Sequence, residues 1–347
     1  MRYNGGTGKK HMKNILYIGN QLSQMDKTET TIDTLSRLLR SENFDVITAS
    51  RKANKLMRLL DMLFHIAKNR NNVDYVLIDT YSTSNFYYAY LSSRLCRFFK
   101  LKYIPILHGG NLPERIKKSS KLSKQLFDNA YVNVAPSLYL MTNFEKAGFK
   151  NLVYIPNTIE LKNYKFEKRT IKTIKLLWVR SFSKLYNPKL AVKILKALKD
   201  ENINASLCMI GPDNDGSLIE TKALAKQLKL DVQFTGKLTK TAWHKKAEAH
   251  TIFINTTNID NTPVSVIEAM ALGLPVISTN VGGLPFLIDN GVDGVLVAPD
   301  NTEVFKSEIL NLIHDKDYLN EIVNNARKKV AQFDWEVVKQ KWFSILS

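Results

Sequence analysis

Two carboxylates with seven residues between them, Asp260 and Glu268, lie in the segment most suited to chemistry, DNTPVSVIEAMALGLPVISTNVGGLPFLIDNGVDGVLVAPD (260–300). Its first part carries the signals of a short helix. Asn261 or Thr262 can cap it, Pro263 suits the first helical position, and Gly273 with Pro275 ends it. The first turn of such a helix, around Pro263, Val264 and Ser265, has N–H groups without intrahelical acceptors and the positive end of the helix dipole. That is an anion site, suited to a diphosphate. Glu268 stands among Val264, Val266, Ile267, Ala269, Met270 and Ala271. A carboxylate there must be solvated or hydrogen-bonded, and ribose or sugar hydroxyls are good donors. Spacing alone equally allows Glu268 to lie on a polar helix face with Ser265, and Asp260 to be a capping residue of the loop.

Elements that would position these groups follow in a regular order. Short apolar runs at 14–19, 44–49, 75–80, 103–108, 131–135 and 152–156 read as buried parallel strands, with helices at about 28–41 and 52–68 among the connections. The polar, lysine-rich stretch 160–173 interrupts the pattern. It restarts at 174–179, 205–210, 231–235, 251–255, 274–278 and 294–298. This alternation predicts an α/β protein with two doubly wound parallel sheets, whose ligands bind at the carboxyl ends of the strands. In the first half those ends offer Gly19-Asn20, where glycine permits close backbone approach, and His108 followed by Gly109-Gly110, with Asn111 and Arg115 as secondary candidates. By position alone His108 fits a structural or a substrate-facing role. His65, His244, His250 and His314 have no ligand spacing and are read as structural.

The chain has 347 residues and a net charge of +18, from 50 basic and 32 acidic residues. Residues 1–160 hold 24 basic against 12 acidic residues, so most of the excess lies in the first half. Such a balance favours polyanions. Basic helical stretches at 51–70 and 115–124 read either as ordinary solvated faces or as surfaces for anionic lipid headgroups. No recognisable nucleic-acid module accompanies the charge. Cys96 and Cys208 are the only cysteines, which excludes Cys-rich zinc sites and redox CxxC motifs. There is no P-loop, no GxGxxG after the first strand and no HExxH. Asp213-Asn214-Asp215 reads as a solvated turn, so no metal is indicated. No apolar run approaches the length of a membrane span. Met12-Lys13 reads as a natural start, and residues 1–11 are set aside as a leader or tail.

The ordered text EAMALGLPVIST (268–279), Gly282-Gly283 and GVDGVLVAPD (291–300) resembles the signature of GT4-family retaining glycosyltransferases of GT-B fold, with Asp260 and Glu268 as the spaced acidic pair. LWVRSFSKLYNPKLAVKIL (177–195) is similar to the family's first strand–loop–helix of the donor domain. It implies that Arg180, and Lys184 less cleanly, meet the donor diphosphate. CMIGPDNDGSL (208–218) is similar to the glycine-rich turn, which implicates Gly211. VQFTGKL (232–238) is similar to the segment meeting the base, which implicates Lys237. A His at a comparable strand end faces the donor in the family, which favours the functional role for His108, as the loop at Gly19-Asn20 also faces the donor. Two departures stand out: Asp260 where the family usually has Glu, and Phe286 where it often has Glu.

The resemblance implies two Rossmann-like domains facing a central cleft. An acceptor-side domain over 12–158 would be joined by the terminal helix 334–347, and a donor-binding domain would cover 159–333. It implies a retaining glycosyltransferase moving a sugar from a nucleotide-diphosphate sugar to a glycan or lipid-linked acceptor, without cofactor or metal, in polysaccharide or glycoconjugate biosynthesis. A sugar-nucleotide epimerase of the same fold and a non-catalytic nucleotide-sugar binder are the alternatives. The expected location is cytoplasmic, with peripheral attachment to the inner face of the membrane.

Overall fold

A computed structural model describes residues 13–21 and 30–347; the sequence-based reading of residues 1–11, and the first residues of the helix expected at 28–41, lie outside the described residues. The chain divides into two compact units. One runs through Pro136 and takes in Met141–Ile155 and Lys341–Ser347; the other comprises Ser137–Leu140 and Pro156–Gln340. The unit boundary thus follows Ile155 rather than residue 158, and the first unit takes only the end of the last helix.

Among the described residues the first unit holds six parallel strands: β1 (Asn14–Ile18), β2 (Asp45–Ala49), β3 (Tyr75–Thr80), β4 (Lys102–Leu107), β5 (Asn133–Ala135) and β6 (Leu152–Tyr154). Their order in the sheet is β2-β1-β3-β4-β5-β6. Its helices are α1 (Thr31–Ser41), α2 (Lys55–Asn69), α3 (Phe86–Phe98), α4 (Leu112–Lys118) and α5 (Ser120–Phe127); α6 (Leu138–Lys146) begins in the second unit and ends in the first. Every residue of β3 is buried, as a strand covered by helices on both faces requires. Sheet order reverses between β1 and β3, and this is the topological switch point. β4 ends at Leu107, so His108 stands just beyond the strand rather than within it. The basic stretch 115–124 is two short helices broken at Ser119, not one.

The second unit is also a six-stranded parallel sheet, with β7 (Ile174–Val179), β8 (Ala205–Ile210), β9 (Val232–Gly236), β10 (Ile252–Asn255), β11 (Val276–Thr279) and β12 (Val295–Val297), but its strand order differs: β12-β11-β10-β7-β8-β9. Its switch point lies between β7 and β10. The helices are α7 (Pro188–Asp200), α8 (Ser217–Gln227), α9 (Lys240–Glu248), α10 (Val264–Ala271), α11 (Leu284–Leu287), α12 (Thr302–His314) and α13 (Lys316–Val330), and α14 (Trp335–Leu346) returns to the first unit at Lys341. Trp178 of β7 is fully buried, and its indole N–H donates to Thr256 Oγ1 just after β10 at 2.9 Å. This bond satisfies the one polar atom of a large core side chain and ties the strands on either side of the switch point.

Candidate functional site

In the second unit, β7 runs into Arg180 and β10 runs into the loop carrying Asp260. The Arg180 guanidinium donates to Asp260 Oδ2. It also stacks 4.3 Å from the centre of the Tyr186 ring. Burial pulls the guanidinium pKa down, but Asp260 and Tyr186 outweigh it and hold the group above its ordinary value. Arg180 is therefore a permanent, half-buried cation, and its Nε is buried with no hydrogen-bond partner. Two backbone approaches fix this pair. A Cβ on Gly211 would sit 1.8 Å from the Arg180 carbonyl oxygen, so the turn after β8 admits only glycine beside Arg180. Gly282 and Gly283 pack equally closely on Asp260 and Asn261, and Gly283 N–H donates to the Asp260 carbonyl at 2.9 Å. Gly211 and the Gly-Gly turn thus act as spacers for the acidic loop and the arginine.

α10 begins one residue later than the spacing predicts. Pro263 occupies the cap position in extended conformation, and no side chain caps the helix. Asn261 cannot do so because its Oδ1 accepts from the Ser137 hydroxyl. Asp260 Oδ1 accepts the Asn261 N–H at 2.9 Å instead of a helical one. Asn157 donates to the Thr262 carbonyl at 3.3 Å, and Ser265 Oγ is buried without a partner. The result is a helix N-terminus whose dipole is not offset by a capping side chain, in the loop that holds the Arg180–Asp260 pair. The helix ends as expected, with Gly273 in the left-handed region at φ +78°.

Glu268 is 4% exposed, so it does not lie on a polar helix face. Its Oε1 accepts from the Tyr164 hydroxyl at 2.7 Å, with Lys240 Nζ at 3.7 Å and His244 Nε2 at 3.9 Å. Tyr164 and His244 pack ring to ring at 4.6 Å. The sequence pattern does not indicate this surround: Tyr164 comes from the linker, and His244, expected to be structural, faces the carboxylate. Their separation from Glu268 in sequence leaves no local signal.

Lys184 does not join Arg180. Its ammonium group lies 4.0 Å from Glu220 and is largely exposed. Its backbone N–H donates to Asp215 Oδ2 at 2.9 Å, as does the Ser183 hydroxyl. Hydrogen bonds from Ser217, Lys184 and Ser183 bring the Asp215 pKa down to about 2. The Asp213–Asp215 turn therefore pins the loop after β7. Lys237 follows β9 and is exposed. Phe286 is exposed and packs against Tyr139, with ring centres 6.0 Å apart.

In the first unit a different group occupies the switch point. His108 Nε2 lies 2.8 Å from Asp79 Oδ1, which also accepts the Tyr17 hydroxyl at 2.8 Å. Tyr81 stacks on the imidazole with ring centres 4.9 Å apart. A Cβ on Gly19 would fall 2.5 Å from Asp79 Oδ2, so this glycine makes room for a carboxylate. Asn20 Oδ1 accepts from Arg58 at 3.1 Å. Arg58 also donates to the carbonyls of Lys52 and Ala53 and is buried, which removes it from the expected basic surface. Sequence reasoning named His108 and Gly19 but missed Asp79 and Tyr17. The available signal was an ionisable residue inside the apolar run YVLIDT, which burial obliges to find a partner.

Residues 162–329 match the family model described as "Glycosyl transferases group 1". The second unit is a glycosyl transferases group 1 domain. The group 1 domain contains Arg180, Asp260, Glu268 and the start of α10. Relatives of the chain include the Arabidopsis thaliana "Sulfoquinovosyl transferase SQD2", 27% identical over 44% of this chain and 29% of that protein. Another is the Campylobacter jejuni "GalNAc-alpha-(1->4)-GalNAc-alpha-(1->3)-diNAcBac-PP-undecaprenol alpha-1,4-N-acetyl-D-galactosaminyltransferase", 22% identical over 52% of this chain and 49% of that one. The chain spans 22% to 51% of the length of the first curated relatives it matches. Among solved structures, Anabaena Alr3699/HepE in complex with UDP and glucose superposes with a TM-score of 0.76 at 18% identity, over 97% of this chain and 99% of that one. The two Rossmann-like units carry the GT-B fold.

Proposed function

We propose that the protein is a glycosyltransferase that takes a sugar from a nucleotide-diphosphate sugar and passes it, with retention at the anomeric carbon, to a glycan or lipid-linked acceptor in polysaccharide or glycoconjugate biosynthesis. The observation that carries this reading is the uncapped start of α10 in the same loop as the Arg180–Asp260 pair, within the segment that matches the family. In this reading the anomeric C–O bond breaks toward the diphosphate, and the acceptor oxygen bonds to the same face and yields its proton to the departing phosphate oxygen. Negative charge builds on the diphosphate as it leaves. Arg180 and the N–H groups at Val264 and Ser265 are fixed in advance where that charge would form, so they favour the transition state over the ground state. No metal is invoked, because the arginine and the helix supply the positive charge. Asp260 takes a sugar hydroxyl, and Glu268, oriented by Tyr164, takes ribose hydroxyls. The UDP and glucose held by HepE support a uridine nucleotide as the first donor to try.

The test is a thermal-shift and calorimetry panel of UDP, GDP, ADP and UDP-glucose on wild type and Glu268→Ala. A ligand at a hundred times its Kd stabilises the fold by about 2.7 kcal/mol. One nucleotide is expected to shift wild type and to shift the variant far less. No shift with any nucleotide overturns the donor site. Anomeric NMR of the product then reads retention directly.

The acceptor side of the reading includes attachment to an anionic membrane surface through α2. No helix among the described residues is long and apolar enough to cross a membrane. Leu56, Met57, Leu60 and Phe64 are each more than half exposed on α2, beside Lys55 and Lys68 and just after Arg51 and Lys52. An apolar stripe bordered by cations suits an interfacial helix. Sedimentation with vesicles of anionic lipid should lose the protein when Leu60 and Phe64 are changed to Ser; undiminished binding overturns this placement.

A further inference from the structure

The sequence pointed to His108, but the structure shows a carboxylate holding it. Asp79 is nine-tenths buried, and its Oδ1 takes the Tyr17 hydroxyl and faces His108 Nε2, both at 2.8 Å. Its Oδ2 is buried with no partner. An ionised carboxylate only accepts hydrogen bonds. In the neutral imidazole, Nε2 must therefore carry the proton and Nδ1 the lone pair. The other groups around the ring do not compete for that assignment. Tyr81, from the segment after β3, meets the ring by its face. Tyr17, from β1, is spent on Asp79. Arg115, from α4, donates to the Ser82 carbonyl at 2.7 Å and lies over the Phe86 ring. Among the described residues nothing hydrogen-bonds to Nδ1.

We propose that Asp79 is a positioning residue that locks His108 in the Nε2–H tautomer and so presents Nδ1 as the acceptor for a sugar hydroxyl. The clamp has three parts from three strand ends: Asp79 at the end of β3, His108 after β4, and Tyr17 in β1, which holds the carboxylate in place. Gly19 completes it by leaving space for Oδ2. The role of Nδ1 rests on the glycosyltransferase reading; the tautomer does not.

The experiment separates the two. Protein labelled with ¹⁵N-histidine reports the tautomer of each ring by NMR, and His108→Gln assigns the signal. Wild type is expected to show Nε2–H at residue 108, and Asp79→Asn, whose amide can donate to the ring, to move it toward Nδ1–H. UDP release from UDP-glucose is the activity probe. Asp79→Asn should lower kcat by about 10²-fold, as for loss of one preorganised hydrogen-bonding group that acts in the transition state, with KM within about threefold of wild type. Gly19→Ala, which crowds Oδ2, serves as a second variant should Asp79→Asn fail to fold, and should disturb the same signal. A wild-type ring that is Nδ1–H or doubly protonated overturns the clamp. So does a kcat loss in Asp79→Asn with an unchanged ring signal. A correct tautomer with no UDP release in wild type retains the clamp and sinks the donor reading instead.

Discussion

The two units place opposite chemistry at the switch points of two parallel sheets that differ in strand order. In the first, the switch point between β1 and β3 holds a buried carboxylate, Asp79, collecting hydrogen bonds from a tyrosine and a histidine. In the second, the switch point between β7 and β10 holds a half-buried cation, Arg180, restrained by Asp260. A doubly wound sheet delivers a crevice at the carboxyl ends of its strands whatever the side chains there. What the crevice does is decided by a few residues placed at those ends. One site is built to hold an imidazole in a fixed orientation, the other to hold a guanidinium against a carboxylate and an aromatic ring.

The largest expected effect comes from emptying the second site. Arg180→Ala should cut UDP release from UDP-glucose by about 10²–10³-fold, the cost of deleting one group that stabilises developing negative charge. Arg180→Lys should recover only part, since an ammonium cannot stack on Tyr186 and reach Asp260 in the same way. Activity within threefold of wild type in Arg180→Ala would remove the leaving-group role from this switch point.

A smaller effect compares the glycines of the two sites. Gly211→Ala drives a Cβ against the rigid Arg180 carbonyl and should cost about 1–3 kcal/mol in urea unfolding. Gly19→Ala meets side-chain atoms of Asp79 and Ile32 rather than backbone, so its loss should be less. A reversed order would mean that the first site is the more tightly determined of the two.

The smallest effect is a pH dependence confined to the first site. Burial, followed by the charge of Asp79, pushes the Tyr17 hydroxyl well above its ordinary value of 10.0, and the same two causes act on Tyr81. Above pH 10 the unfolded chain releases protons that the folded chain keeps. This contribution is complete below pH 10 and is lost as pH climbs beyond it. Melting temperatures from pH 9 to 11.5 should fall less steeply in Tyr17→Phe than in wild type; equal slopes would mean that Tyr17 does not contribute.

Much of the fold was legible without coordinates. All twelve strands among the described residues lie within two residues of the runs that announced them: the central ones are buried on both faces and so apolar along their length, and the edge strands keep part of that pattern. The end of α10 was legible too, since Gly273 can take the left-handed conformation that terminates a helix. Its start was displaced by a contact the sequence does not contain: Ser137 occupies the Asn261 side chain, and the cap position passes to Pro263. Lys184, expected beside Arg180, is drawn toward Glu220 instead.

Local physics therefore determined the alternation, the two sheets, the punctuation by glycine and proline, and the residue types at the strand ends. Tertiary structure decided the pairings. Tyr17 and Asp79 are 62 residues apart, Arg180 and Asp260 are 80, and Tyr164 and Glu268 are 104. Period and propensity act over a few residues. A buried charge can be satisfied by any partner the folded sheet brings within about 3 Å, and only the closed topology determines which partner that is.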